Sequence, residues 1–258
     1  MIVAGCAAES GPTRMITLAT TTSMQDSGML DLLLPEFRKQ TGIEVKVVAV
    51  GSGQALEIAR RGDADVLITH SPAAEQKFMD EGFGLNRRPI MSNDFVIVGP
   101  PGDPARIQGE SSPAGALRKI ANQRQPFVSR GDDSGTHHKE LHLWQQAGES
   151  PAGDWYINAG VGMAQALRIA SERDAYTLSD RGTFLALADQ VDLKILGDYE
   201  PKIANPYSVT VVRGTNDSDG SVAAAQEFAD FLVHPDTRRL IADCGVERFG
   251  QSLFRPAE

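Results

Sequence analysis

The sequence predicts an α/β protein built on a mostly parallel sheet with helices on its faces. Three observations carry that prediction. In the first half of the 258 residues, short runs rich in Val, Ile and Thr alternate with longer segments whose apolar residues recur at helical spacing. Several of the strand-like runs end in Gly and hydroxyl residues immediately before a helical pattern, as βα units do. Apolar content is 41% and charged content 23%, the balance of an ordinary globular chain large enough for one domain or two lobes.

In order, "MITLAT" (15–20) reads as a strand, and "DSGMLDLLLPEFRKQTG" as one helix ending at Gly42. "IEVKVVAV" (43–50) is a strand, "GQALEIARRG" a helix, "DVLITH" (65–70) a strand and "AAEQKFMDEG" a helix. "FVIVGP" (95–100) is a further strand, followed by a Gly-, Pro- and Ser-rich loop to Gly115. Then come helix "LRKIANQ", strand "PFVSR", helix "SGTHHKELHLWQQAG", strand "WYIN" and helix "GMAQALRIASERD". "AYTLSD", "VDLKILG" and "NPYSVTVV" (205–212) read as strands. "VAAAQEFADFLVHPDTRRLIADCG" closes the chain as helices broken at His234-Pro235. Trp144, at helical spacing from Leu141, is expected with it in the core.

The formal net charge is −9 and no basic block occurs. That excludes nucleic acid and anionic membrane surfaces as partners, though not a small anion, because a pocket's local field can oppose the global one. Two cysteines, Cys6 and Cys244, make neither a disulfide framework nor a metal site. No run of 18 apolar residues is present. "VAGC" before Ala7 resembles the lipobox of bacterial lipoproteins, in which Cys6 would carry the lipid anchor of an exported protein. The charged leader that normally precedes it is missing, and the other reading is an incidental Cys.

The stretch "ATTTSMQDSG" (19–28) puts Thr20, Thr21, Thr22 and Ser23 between a strand and a helix. Gly51-Ser52-Gly53, Gly131 to Thr136 and Gly160 to Gly162 repeat the pattern at three further strand ends. A helix N-terminus offers unpaired N–H groups and about half a positive charge, and small residues let an anion approach them. Helix capping alone explains any one such turn. "SRGDDSGTHHKE" (129–140) is more specific. Arg130 supplies a fixed cation with a fork of donors, Asp132 can pin it, Asp133 or Ser134 can cap the next helix, and Ser134, Gly135 and Thr136 present hydroxyls and amides together. The set makes a tetrahedral-oxyanion cradle; the other reading is an exposed turn with a surface Arg–Asp pair.

R-x-D-x-S-G-T, matched by Arg130, Asp132, Ser134, Gly135 and Thr136, resembles the pattern of bacterial phosphate receptors. The fuller set is more similar to the tungstate-binding receptors of ABC transporters. Its carriers are the T-T-T-S run (Thr20 to Ser23), S-R-G-D-x-S-G-T-H-x-x-E (Ser129 to Glu140), "GQALEIARRGDADVL" and "AYTLSDRGTFLAL". The likeness runs from about Met15 to "NPYSVTVV". It implies a two-lobed type II periplasmic-binding-protein fold, with two mixed sheets flanked by helices and a two-crossing hinge near 92–96 and 204–208. Residues 1–14 would form the lipobox-like segment, 15–93 with 207–258 lobe I, and 94–206 lobe II. It implies an extracytoplasmic, monomeric receptor that holds tungstate or molybdate as an oxyanion, without cofactor or metal, and delivers it to a permease with its ATPase. Thr21, Thr22, Ser23, Ser52, Ser71, Arg130, Ser134, Gly135, Thr136 and Gly162 are the expected ligand-binding residues.

Ser71 bears on the choice of anion. Phosphate keeps a proton at neutral pH and needs an acceptor, which phosphate receptors tend to place as an Asp after the third strand of the first lobe. Here that turn reads His70-Ser71-Pro72, which favours a fully deprotonated dianion unless Asp26 or Asp133 faces inward. His138 and His142 lie four apart without a third metal ligand. Gly160-Val161-Gly162 begins a dinucleotide fingerprint that fails at Gln165, and no G-x-S-x-G elbow exists. Arg181 follows a strand end, where it either faces the cleft or pairs with an acid. The competing functional class is an enzyme on a phosphorylated substrate. It would need a base or metal beside the cradle, and the sequence offers none.

Overall fold

The structure is a computed structural model and describes residues 14–199, 203–214 and 221–257. Cys6 and the lipobox-like segment lie outside the described residues. β1 (Met15–Thr21) leads into α1 (Thr22–Asp26) and α2 (Met29–Thr41). The helix expected over 26–42 is thus two helices, divided at Gly28, whose φ of +76° only glycine adopts without strain. In α2 the buried residues Met29, Leu30, Leu33 and Phe37 form one apolar stripe, and Gly42 ends the helix in the left-handed region.

β2 (Glu44–Val50), α3 (Ser52–Arg60), β3 (Val66–Thr69) and α4 (Pro72–Asp80) follow in the expected alternation. β4 (Gly84–Gly99) is much longer than the run at 95–100. Its first part holds Arg87, Arg88 and Pro89 and shows no apolar alternation, and the pairing register slips between Pro89 and Met91, where a proline costs no ladder bond. Next come α5 (Pro113–Asn122), β5 (Phe127–Ser129), α6 (Gly135–Ala147), β6 (Tyr156–Asn158), α7 (Met163–Glu172), β7 (Tyr176–Asp180) and α8 (Arg181–Leu187). A 3-10 turn (Ala188–Gln190), β8 (Lys194–Gly197), β9 (Ile203–Val212), α9 (Ser221–Val233), α10 (Pro235–Asp243), α11 (Val246–Phe249) and β10 (Arg255–Pro256) complete the chain. The short α8, α11 and β10 carry too few residues for a periodic signal.

The strand order is β2-β1-β3-β9-β4-β7-β5-β6, with β8 and β10 also paired to β4. β1 runs parallel to β2 and β3, and β5 runs parallel to β6 and β7. Between these parallel groups stand β9 and β4, antiparallel to their neighbours. The two expected sheets are therefore continuous, because β4 and β9 carry the hydrogen bonding from one group to the other. Asn93 of β4 pairs directly with Asn205 of β9 in that ladder.

Each parallel group has its own core. Ile16, Leu18, Phe37, Val209 and Phe228 share one cluster, in which Phe37 meets Phe228 edge-on at 4.8 Å between ring centroids. The C-terminal helices thus pack back on the first strands. On the other side, Phe127, Trp144 and Tyr176 fill one face of the sheet and Val96, Val128 and Leu167 the opposite face. Burial on both faces explains the near-continuous apolar runs of these strands. Leu141, expected beside Trp144 in the core, is instead 44% exposed, since α6 turns that position outward.

Candidate functional site

The carboxyl ends of β1, β2, β5 and β6 lead to helices whose first residues approach one another, the place where open α/β sheets take ligands. Thr22, Gly51, Gly53, Arg130, Asp132 and Gly162 line one cleft of about 1010 Å³. Gln54, Glu57, Ile58, Arg61, Asp133, Gly160 and Val161 extend its walls. The approach is close. A Cβ on Gly162 would stand 3.8 Å from Thr22 Oγ1, and one on Gly53 would stand 3.8 Å from Asp133 Oδ2.

Arg130 is the central cation. It is 3% exposed, its Nη2 donates to Asp132 Oδ2 at 2.5 Å, and its Nη1 donates to Thr136 Oγ1 at 3.4 Å. Its Nε–H has no protein partner among the described residues. A buried guanidinium with a donor to spare, facing a cleft, is set up for an anion. Burial alone would raise the Asp132 carboxyl, but the Arg130 charge and bonds from Ser134 and Arg130 outweigh it and hold the group below the usual carboxylate range. Asp132 stays ionised and locks the fork. Gly131 precedes it at φ +60°, and a side chain there would run into Asn158.

Ser134 caps α6 by accepting from His137 N at 3.3 Å, while Asp132 Oδ1 accepts from Ser134 N at 3.3 Å. Gly135 and Thr136 are buried in the first turn. Thr21, Thr22 and Ser23 divide the work that the sequence assigns to them jointly. Thr21 alone caps α1, accepting from Met24 N at 3.3 Å, and Ser23 Oγ turns inward to Thr21 Oγ1 at 3.1 Å. Thr22 is the hydroxyl residue that lines the cleft. Ser52 is buried at the start of α3, with its Oγ lacking a protein partner among the described residues. Ser71 precedes α4 without capping it through its side chain, and its Oγ lies close to Gly135.

His138 Nε2 sits 2.7 Å from Asp133 Oδ1, and both side chains are exposed. Among the described residues no group of His, Cys, Asp or Glu is placed to hold a metal. Glu140 is buried behind the cradle and accepts from Tyr156 Oη at 2.7 Å and Trp144 Nε1 at 3.1 Å. Burial pushes its pKa up to about 7 against those bonds. Arg181 resolves as a structural pair. Its Nε and Nη2 donate to Asp94 Oδ2 at 2.9 and 2.7 Å, and Nη2 also reaches Asp198 at 2.6 Å.

Sequence reasoning missed His70. The ring is 5% exposed, lies 4.9 Å from the Tyr207 ring between centroids, and turns its Nδ1–Cε1 edge to Gly135 at the head of α6. A residue between an apolar run and a Ser-Pro turn reads as a strand end, and only the fold brings that end against the cradle.

Comparison with known proteins fits this geometry. The PBP superfamily domain matches residues 7–236. The tungstate-binding protein TupA of Peptoclostridium acidaminophilum is 45% identical over 99% of this chain and 93% of its own length. The crystal structure of the tungstate ABC transporter from Geobacter sulfurreducens superposes with a TM-score of 0.84 at 44% identity, covering 90% of this chain and 100% of that one. The tungstate-binding protein TupA from Desulfovibrio alaskensis G20 gives 0.80 at 41% identity, over 95% and 99%. On this fold, this cradle and these likenesses, the chain belongs to the PBP superfamily and, within it, to the family of the TupA proteins.

Proposed function

We propose that this chain is a high-affinity extracytoplasmic receptor for a tetrahedral oxyanion, tungstate or molybdate, which it delivers to an ABC permease and its ATPase. It is a binding protein rather than an enzyme. The observation that carries the reading is Arg130, a buried cation that lines the cleft, is pinned by an ionised Asp132 and keeps an Nε–H without a protein partner among the described residues. Thr22, Ser52, Ser134, Gly135, Thr136 and Gly162 supply hydroxyls and helix N-termini around it, with Ser71, Thr21 and Ser23 behind them. Six or seven donors at about 1.5–3 kcal/mol each, less desolvation and closure, are compatible with the nanomolar range near −12 kcal/mol.

In this reading lobe I is 15–93 with 207–258, lobe II is 94–206, and the lobes close about β4 and β9. Cys6 would carry the lipid that holds the receptor at the membrane. Calorimetric titration of the ligand-stripped protein with tungstate, molybdate, sulfate and phosphate tests the proposal, with direct competition between the first two. Saturable tungstate binding without turnover supports it. Phosphate binding in preference to tungstate replaces it with a phosphate receptor, and silence from all four anions refutes it.

A further inference from the structure

Glu75 is a buried carboxylate that does not line the cleft. It lies in the first turn of α4, and its side chain is 1% exposed. Both of its oxygens are engaged. Oε1 accepts from Thr69 Oγ1 at 2.7 Å and from Ser71 N at 2.9 Å. Oε2 accepts from Arg87 Nε at 3.0 Å and from Arg87 Nη2 at 2.7 Å, so the guanidinium of β4 anchors the acid from behind.

This arrangement decides what Ser71 does. A serine at a helix N-cap ordinarily turns its hydroxyl to the amides of the first turn. Ser71 holds that place before α4 and makes no such bond. Pro72 opens the helix and has no N–H to offer, and Glu75 reaches back to take the Ser71 N–H, as the acid of a capping box does one position earlier. The Thr69 bond fixes the other flank of the same turn. One carboxylate therefore clamps the turn, and the Ser71 hydroxyl faces away from α4. Its Oγ stands 2.9 Å from where a Cβ on Gly135 would be, in the first turn of α6. Gly135 lies between Ser134, which caps α6, and Thr136, which accepts from Arg130. The clamp belongs to β3, α4 and β4, whereas α6 follows β5 in the other parallel group, so the contact joins the two groups at the cradle.

We propose that Glu75 is a positioning residue of the anion site, which sets the turn between β3 and α4 so that Ser71 buttresses the head of α6 and with it the Ser134-to-Thr136 end of the cradle. The inference rests on the cradle being the anion site. Glu75 acts through Ser71 and not by contact with the anion.

A double-mutant cycle tests it, read by calorimetric titration of the ligand-stripped protein with tungstate and by thermal melts of the same samples. Glu75→Gln keeps the shape but leaves one acceptor oxygen for the turn and the Arg87 fork together. It should weaken tungstate binding by about two- to thirtyfold, the range for residues that bias a site without touching its ligand. Ser71→Ala should weaken binding to a similar extent. The double variant should bind no more weakly than the weaker of the two single variants, because both changes remove one contact. Thr69→Val keeps the shape and removes one donor to Glu75; it serves in the same cycle where Glu75→Gln does not fold, and its effect should vanish in the Ser71→Ala background. Unchanged affinity in either single variant, or additive losses in the double variant, overturns the assignment. A lower melting temperature with unchanged affinity overturns it as well, since Glu75 would then serve the fold alone. Wild-type protein that does not bind tungstate refutes the receptor reading and this inference with it, whereas wild-type binding with indifferent variants refutes this inference alone.

Discussion

Replacing Gly135 by alanine places one methyl group where three atoms already converge. The new Cβ would stand 2.9 Å from His70 Nδ1, His70 Cε1 and Ser71 Oγ, closer than any ordinary carbon contact. The ring cannot retreat, because it is 5% exposed and packed against Tyr207. Overpacking of this kind costs about 1–3 kcal/mol. Helix propensity acts the other way, since alanine improves on glycine in a helix by up to about 1 kcal/mol. If the turn after β3 and the head of α6 meet when the cleft closes, the cost falls on the liganded state. Tungstate affinity should then weaken by about five- to 150-fold, while the ligand-free melting temperature holds or rises. Calorimetry and thermal melting of the same sample read both quantities. Unchanged affinity refutes the close approach as a feature of the bound state. A lower ligand-free melting temperature with unchanged affinity would mean the contact is permanent and unconnected with closure.

Further outcomes follow from the same geometry. Arg130→Ala should weaken tungstate binding by more than about tenfold, because it removes a charge-assisted donor and leaves Asp132 facing the anion alone; Arg130→Lys should recover only part, lacking the fork. Arg181→Ala should cost about 3–5 kcal/mol of stability in denaturant melts, by stranding the buried Asp94 carboxylate. Glu140, raised to about 7 from 4.5, holds its proton longer folded than unfolded, so stability should fall as pH rises from about 4.5 to 7; Glu140→Gln should flatten that slope. His70, lowered to about 4 from 6.5, acts in the opposite sense, so stability should be lost as pH falls through that window, by about 3 kcal/mol in all, and His70→Asn should remove that part.

Much of the fold was legible because its signals are local. A run such as "VLIT" between two helical segments marks a buried strand of a βα alternation, and β3 is parallel to β1 on one side and antiparallel to β9 on the other. The Arg130-to-Thr136 segment was legible too, since Arg130, Asp132, Ser134 and Thr136 bond to one another within seven positions. The first part of β4 was not, because Arg87, Arg88 and Pro89 interrupt the pattern and their strand partners lie in β9, more than a hundred residues away. The division of "DSGMLDLLLPEFRKQTG" at Gly28 was hidden for a related reason. An apolar stripe tells where a helix faces, while a single backbone angle decides where it breaks.

The sequence by itself determined the class of the protein, most of its strand–helix alternation and the grouping of Arg130, Asp132, Ser134 and Thr136, because each depends on residues close along the chain. Only the tertiary structure decided which hydroxyl residue lines the cleft, that Arg181 is committed to Asp94, and that Asn205, Asn93 and Asp180 form one chain. Those contacts join residues tens to more than a hundred positions apart, and the direction of each hydrogen bond depends on the next. No local pattern encodes such an order; it exists once β4 and β9 lie side by side.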